Sequence, residues 1–314
     1  MPKKSKKPAR SAAPKQESSG LQFSETDLLG QLTANEGSVL WLGRCTASEI
    51  RRTLEAAGLL AALRDKGIND LIFKIEPFEE FDQTLKVYCR EEKPDNLIAE
   101  ARFREKRFAP ERKMPETFSD FAPAMLSIDW LLMQNPFAEF TQDRPRLPGQ
   151  THPGLGQAHR VTTLLMDLCA KLGLAGILNF PEHFHNAHLY REHFHFYDPV
   201  SEGIAQALFR DLSSLPLADL SWAIEQGCVR DGKTGSAPLP SNTEAERGRE
   251  RGERFEWNAG VQILPMHPAM RDYFASAWYR RRVQEIVETN SFVLDKNGFQ
   301  KFGRNNSGVE NLHR

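Results

Sequence analysis

Apolar residues recur along this chain at two spacings, which divide it into helices and strands. Val161, Leu164, Leu165, Leu168 and Leu172 repeat at the spacing of a helix with one buried face, and Gly173 closes it. Two short apolar runs flank that helix, residues 125–133 and 175–180, and both suit buried strands. Alternation predicts strands over 84–89 and 97–103, and the polar stretch 90–96 between them makes a hairpin. Residues 38–42 and 71–75 read as further strands, and 24–27 as a helix start. Thr46 and Glu49 fit a capping box opening a helix with Ile50, Leu54 and Ala57. Gly58 interrupts that helix, and residues 59–63 continue it to Gly67.

Past the run 175–180 comes a His-rich helix and strand, and past Pro199 the chain turns helical. Ile204, Leu208, Leu212 and Leu215 share one face, and residues 217–224 form a shorter helix ending at Gly227. Residues 255–268, with Trp257, are expected to dock back on the body, and 269–287 to form one helix carrying Tyr273, Phe274, Trp278 and Tyr279. Residues 104–123 are charged and contain proline, hence a loop. Residues 231–254 read as a flexible linker, and everything after Asn290 as a polar, fraying tail. The expected organisation is a basic tail (1–20), a main domain (21–199), a helical extension (200–230), the linker, a docking segment with its helix (255–290) and the tail (291–314).

Composition narrows the partners. The 41 basic and 42 acidic residues leave a net charge of −1, so no global field draws nucleic acid or a membrane surface. The local exception is the tail 1–20, with Lys3, Lys4, Lys6, Lys7, Arg10 and Lys15, which reads either as a solvated segment or as a loose tether to RNA or DNA. Four widely spaced cysteines without a C-x-x-C pair suit buried thiols in a reducing compartment. No apolar run reaches membrane-spanning length and no signal peptide is recognisable, so a cytoplasmic protein is expected.

The chemistry gathers between residues 125 and 198. A strand, the Pro/Gly-rich loop 144–156 and a helix follow one another. That order makes an anion site: glycines allow close approach of the backbone, and the helix start supplies free N–H groups and a positive dipole end. Arg144, Arg146 and Arg160 surround the loop, either to meet phosphates or to solvate it. In the apolar run 125–133 the odd residue is Asp129, whose carboxylate would be desolvated, and hence raised in pKa, unless paired. Glu100 sits similarly in the preceding strand, and either carboxylate could pair with Arg102 or Arg104.

Over residues 38–198 the order of elements resembles the GNAT superfamily of N-acyltransferases. The loop from Gln150 through Gly154 to Gly156 resembles the family's Q/R-x-x-G-x-G/A segment, one residue longer here. Asn186, Ala187, Leu189 and Tyr190 resemble its N-x-x-A-x-x-L-Y segment, with Phe194 where the family has glycine. The resemblance implies an α/β (α+β) fold with a mixed, mainly antiparallel central sheet flanked by helices, extended here by C-terminal helices. It implies acetyl-CoA as co-substrate and an unknown amine as acceptor. It places Gln150, His152, Gly154, Leu155, Gly156, Gln157, Arg160 and Asn186 around the cofactor. Tyr190 would be the general acid toward the leaving thiolate, and Asp129 is the candidate base. Tyr190 has an alternative as a tyrosine packed between helix and sheet.

Two other functions stay open. The lengthened loop and missing glycine fit a GNAT-like binding or scaffold protein without catalysis. His183, His185, His188, His193 and His195, with Glu182, Glu192 and Asp198 nearby, suggest a His-based metal enzyme, although their spacing matches no recognised ligand set and no metal is expected.

Overall fold

The computed structural model of the chain describes residues 40–77, 83–109, 122–232, 252–258 and 260–299. The tail 1–20, the helix start at 24–27 and most of the linker lie outside them. Helix α1 (Ala47–Ala56) begins at the expected capping box: the Thr46 hydroxyl accepts from the Glu49 N–H while the Glu49 carboxylate accepts from the Thr46 N–H. Gly58 separates it from α2 (Leu59–Arg64). The strand expected at 38–42 is absent from its described part, where a turn is closed by a Trp41–Cys45 bridge. Trp41 is buried instead against Phe103, their rings 5.1 Å apart, so the apolar character came from packing rather than pairing.

Strands β1 (Leu71–Pro77), β2 (Gln83–Cys89), β3 (Leu97–Arg107) and β4 (Ala124–Met133) form an antiparallel meander. Helix α3 (Ala158–Leu172) then returns the chain to β5 (Gly176–Asn179), which lies parallel to β4. After β5 come α4 (Phe184–Leu189), β6 (His195–Phe196), α5 (Pro199–Leu212), α6 (Leu217–Glu225), β7 (Val229–Asp231), β8 (Gln262–Pro265), α7 (Pro268–Ala275), α8 (Ala277–Thr289) and β9 (Phe292–Leu294). The seven-stranded sheet has the order β1-β2-β3-β4-β5-β8-β6, antiparallel throughout except β4 with β5, and helices flank it. The fold is therefore of the α+β class.

Alternation along the central strands sorts the core into two sides. Leu126, Ile177 and Leu264 are register partners that face one side, where they pack with Leu165 and Cys169 of α3 and Ile50 of α1. Met125, Leu178 and Ile263 face the other, against Tyr273 of α7 and Tyr279 and Val283 of α8. Those two tyrosines donate to the carbonyls of Tyr197 (2.7 Å) and Phe196 (2.6 Å), fixing β6. A third cluster joins α5, α6, β7 and β9 through Leu208, Leu220, Val229, Phe255 and Phe292.

Several expectations along the C-terminal half are corrected. Residues 255–268 do more than dock, since 262–265 form β8 within the main sheet, between β5 and β6. The single helix expected at 269–287 is two, because Ser276 leaves helical geometry (ψ 147°), ends α7 and caps α8 by accepting from the Tyr279 N–H. Past Asn290 the chain is not all tail, since β9 pairs with β7 and buries Phe292. Residue 231 belongs to β7 rather than to a linker, and residues 233–251 and 300–314 lie outside the description. Strand β3 also runs past 103 to Arg107, its charged end tolerated because Arg104, Glu105 and Arg107 are exposed and Lys106 is half-buried.

Candidate functional site

Strands β4 and β5 pair through only two residue pairs, Leu126 with Ile177 and Ser127 with Leu178. Beyond them the two strands part, and the second half of β4 keeps a partner only in β3. A β-bulge starts there: β3 steps from Arg102 to Phe103 while β4 steps from Trp130 to Ile128, leaving Asp129 as the extra residue. Asp129 is exposed as a whole although its side chain is only 21 % exposed, so much of the open area is main chain. The desolvated, apolar setting expected for Asp129 is thus not found. Its carboxylate accepts from the Ser127 hydroxyl (2.8 Å) with one oxygen and pairs with Arg104 through the other. That pairing was one of the alternatives open for it.

The loop after β4 is closed at its base by a bridge between Gln134 and Gly154, and the Asn135 N–H donates to the Pro153 carbonyl (2.7 Å). Buried Gln134 holds both ends: its amide donates to the Leu97 carbonyl (3.0 Å) and accepts from the Thr151 hydroxyl (3.2 Å). The amide of Gln150 accepts from the Leu147 N–H (3.1 Å), and its carbonyl takes the Arg146 guanidinium (2.7 Å). Arg144 donates to the Gly154 carbonyl (2.7 Å), and Arg160 to the carbonyl of Ala57 just past α1 (3.3 Å). His152 is half-buried and Leu155 is 4 % exposed, packed with Leu60, Leu63 and Ile98, so only the main chain of Leu155 is available to a ligand. The glycine that the backbone demands is Gly156, at φ +67°, whereas a Cβ on Gly154 would meet nothing closer than the Met133 carbonyl at 3.8 Å.

Gln157 is the residue before α3 and provides no side-chain cap, so the first N–H groups of this fifteen-residue helix face the loop without one. The expected strand–loop–helix order therefore stands, with an uncapped helix start at the carboxyl end of β4. On the same side of the sheet, Tyr190 directly follows α4 and packs against the cluster of Leu126, Ile177 and Leu165, to which Ile128 and Leu131 of the parted strand also contribute. Burial raises its phenol above the ordinary value of 10. Its neighbour in sequence, His193, brings its ring to 6.3 Å from that of His159 in the first turn of α3. Asn186 lies in the first turn of α4, half-buried. Tyr190 and the uncapped end of α3 are thus brought to one side of the parting, and Asp129 to the other.

Among the described residues no group of three or more His, Cys, Asp or Glu side chains is placed to hold a metal. The histidines are occupied otherwise. His183 donates to Glu225 (3.2 Å) and stacks on His185 at 5.4 Å, and His188 accepts from Arg191 (3.0 Å). Burial, assisted by His183, lowers His185 to about 4, and burial with Arg191 does the same for His188. His195 packs on Phe274 instead of joining them.

Sequence reasoning missed the buttress behind the loop. Trp222 of α6 donates its indole N–H to the Arg146 carbonyl (2.8 Å), and Trp257 donates to the Pro181 carbonyl (3.0 Å). Gly149, at φ +74°, lies so close to His183 that a Cβ there would stand 2.6 Å from its Nε2. The signal available was two tryptophans, one in the expected helix 217–224 and one in the expected docking segment 255–268. No described helix is long and apolar enough to cross a membrane. Among known proteins, the chain matches no family model, no curated protein and no solved structure.

Proposed function

We propose that the chain moves an acyl group, acetyl in the first instance, from acyl-CoA to an amine by direct attack within a ternary complex. One observation carries the reading: the only parallel strand pair among the described residues parts after two residue pairs, and α3 begins uncapped at the carboxyl end of that opening. Ligands of open α/β sheets favour the carboxyl ends of parallel strands, and a helix start favours phosphate. The order of two helices, antiparallel strands, glycine loop, helix and second strand supports the likeness to the GNAT superfamily.

In this reading the pyrophosphate lies on the N–H groups of Gly154 to Arg160, with Arg144 beside Gly154 and Gly156. Unpaired main chain of β4 beyond Ser127 offers an edge to which the amide-bearing arm of CoA can add as a strand does. The amine lone pair forms the new C–N bond at the thioester carbon, and the C–S pair departs on sulfur. Tyr190, held protonated by its burial, gives a proton to that thiolate. The nitrogen loses one proton, for which Asp129 is the candidate acceptor, using lone pairs beyond those that hold Ser127 and Arg104.

A CoA-binding or scaffold role without catalysis is favoured by a different observation: Arg144, Arg146 and Arg160 already donate to main-chain carbonyls. Calorimetric titration with CoA and acetyl-CoA tests the shared premise, and thiol release with pooled amines separates the two. Binding with thiol release is the expected result. A parent protein that binds neither ligand overturns the reading.

A further inference from the structure

Gln262, in the segment that returns late to the sheet as β8, ties down both ends of the stretch that carries Tyr190. Its main chain pairs on one side with Asn179 of β5 and on the other with Phe196 of β6. Its side chain, 2 % exposed, faces the α3 side with Leu264, two residues on. There the amide donates to the Ala187 carbonyl in α4 (3.4 Å). The Arg191 N–H, which would close on that carbonyl in a continuing helix, turns to His188 instead. Gln262 therefore supplies the missing donor, and the direction of its amide follows: Nε2 faces Ala187, so Oε1 needs a donor of its own. Asn179, the last residue of β5 and one past the end of its pairing with β4, gives that donor (3.2 Å). Residues 187–196 are thereby stapled at one end by the Gln262 side chain and at the other by its main chain, with Tyr190 between. Tyr190 has need of such support. Its ring is held by packing, with Phe194 at 6.1 Å, and among the described residues no group bonds its hydroxyl.

We propose that Gln262 is the positioning residue for Tyr190, and that Asn179 sets the orientation of the Gln262 amide. The inference rests on the acyl-transfer reading, in which Tyr190 protonates the departing thiolate, and assigns the group that keeps its phenol at the opening. A general acid works only within hydrogen-bond reach of the atom it protonates. A displacement of about 1 Å in such a group costs up to about 10²-fold in rate. Buried as it is, Gln262 meets no ligand itself, so it acts on the proton transfer and not on the grip on CoA.

The test uses the full chain with acetyl-CoA and pooled amines. Gln262→Met keeps length and bulk but deletes both polar atoms. Thiol release should fall about 10- to 100-fold, while calorimetric CoA affinity stays within about twofold of the parent. The same substitution made together with Tyr190→Phe separates positioning from mere packing. With the proton already gone, it should slow thiol release less than about twofold further. Asn179→Leu, at a half-buried position, should give the same pattern in weaker form and carries the test if Gln262→Met does not fold. Amide hydrogen exchange gives a readout without ligand: protection of the His193 and Phe194 N–H groups, which bond the Tyr190 carbonyl, should drop in either variant. Parent rates of thiol release, or unchanged protection, in a folded variant overturn the inference and leave acyl transfer standing. An equal further loss beside Tyr190→Phe does the same. A parent that releases no thiol overturns both together.

Discussion

Acidification should destabilise this protein through His185, and the size of the effect follows from where its ring sits. His185 is 3 % exposed, stacks on His183, and has an Nδ1 without a hydrogen-bond partner among the described residues. Its folded pKa is lowered from 6.5 to about 4, first by burial and then by His183. A histidine depressed in this way binds its proton more weakly folded than unfolded. Its contribution is therefore fully present above pH 6.5 and is lost as the pH falls toward 4. At about 1.4 kcal/mol per pH unit, roughly 2 kcal/mol of stability disappears between pH 7 and pH 5. Urea denaturation at pH 7, 6 and 5 measures it, with His185→Phe as control. The variant keeps a flat ring against His183 but has nothing to protonate, so its loss over the same interval should be smaller by that amount. Parallel curves for parent and variant would falsify the assignment. His188 adds a loss of the same sign, reduced because its ring is only half-buried and solvent screens it.

Tyr190→Phe keeps the packed ring but deletes the proton, so thiol release should fall on the order of 10²–10⁴-fold with CoA affinity nearly unchanged; a full-rate variant removes Tyr190 from the chemistry. Gly156→Ala forces an L residue to φ +67°, so it should cost about 1 kcal/mol and weaken CoA binding. Gly154→Ala has room and should leave stability within about 0.5 kcal/mol, whereas Gly154→Asp should weaken CoA binding without unfolding, as calorimetry and thermal melts would show. Tyr279→Phe strands the Phe196 carbonyl in the core and should cost about 1–3 kcal/mol in a denaturant titration, with the CoA site unaffected.

What the sequence showed and what it hid follow from the range of the interactions. The Thr46–Glu49 cap, the α3 stripe and the alternation of β2 and β3 are local signals, and each is found as expected. The places that differ were set by distant partners. Ile263 reads only as part of a segment docking on the body until Leu178 and His195 are known to flank it in the sheet, and Phe292 reads as tail until Val229 and Phe255 are seen beside it. At the site the loop and helix start were legible from glycine and apolar spacing. The buttress from Trp222 and Gln134 was not, because each bonds a main-chain carbonyl and leaves no pattern in sequence. Asp129 was singled out for being polar in an apolar strand, but the bulge that exposes it depends on register with β3.

That bulge also explains how an acid and a base drawn from opposite sides of a sheet could serve one reaction. In an intact sheet, Tyr190 on the α3 side and Asp129 on the other would be screened from each other by a continuous hydrogen-bonded layer. Here the layer stops after Ser127 and Leu178. A thioester lying in the opening would take the place of the missing strand pairing, presenting one side of its reacting carbon to each group.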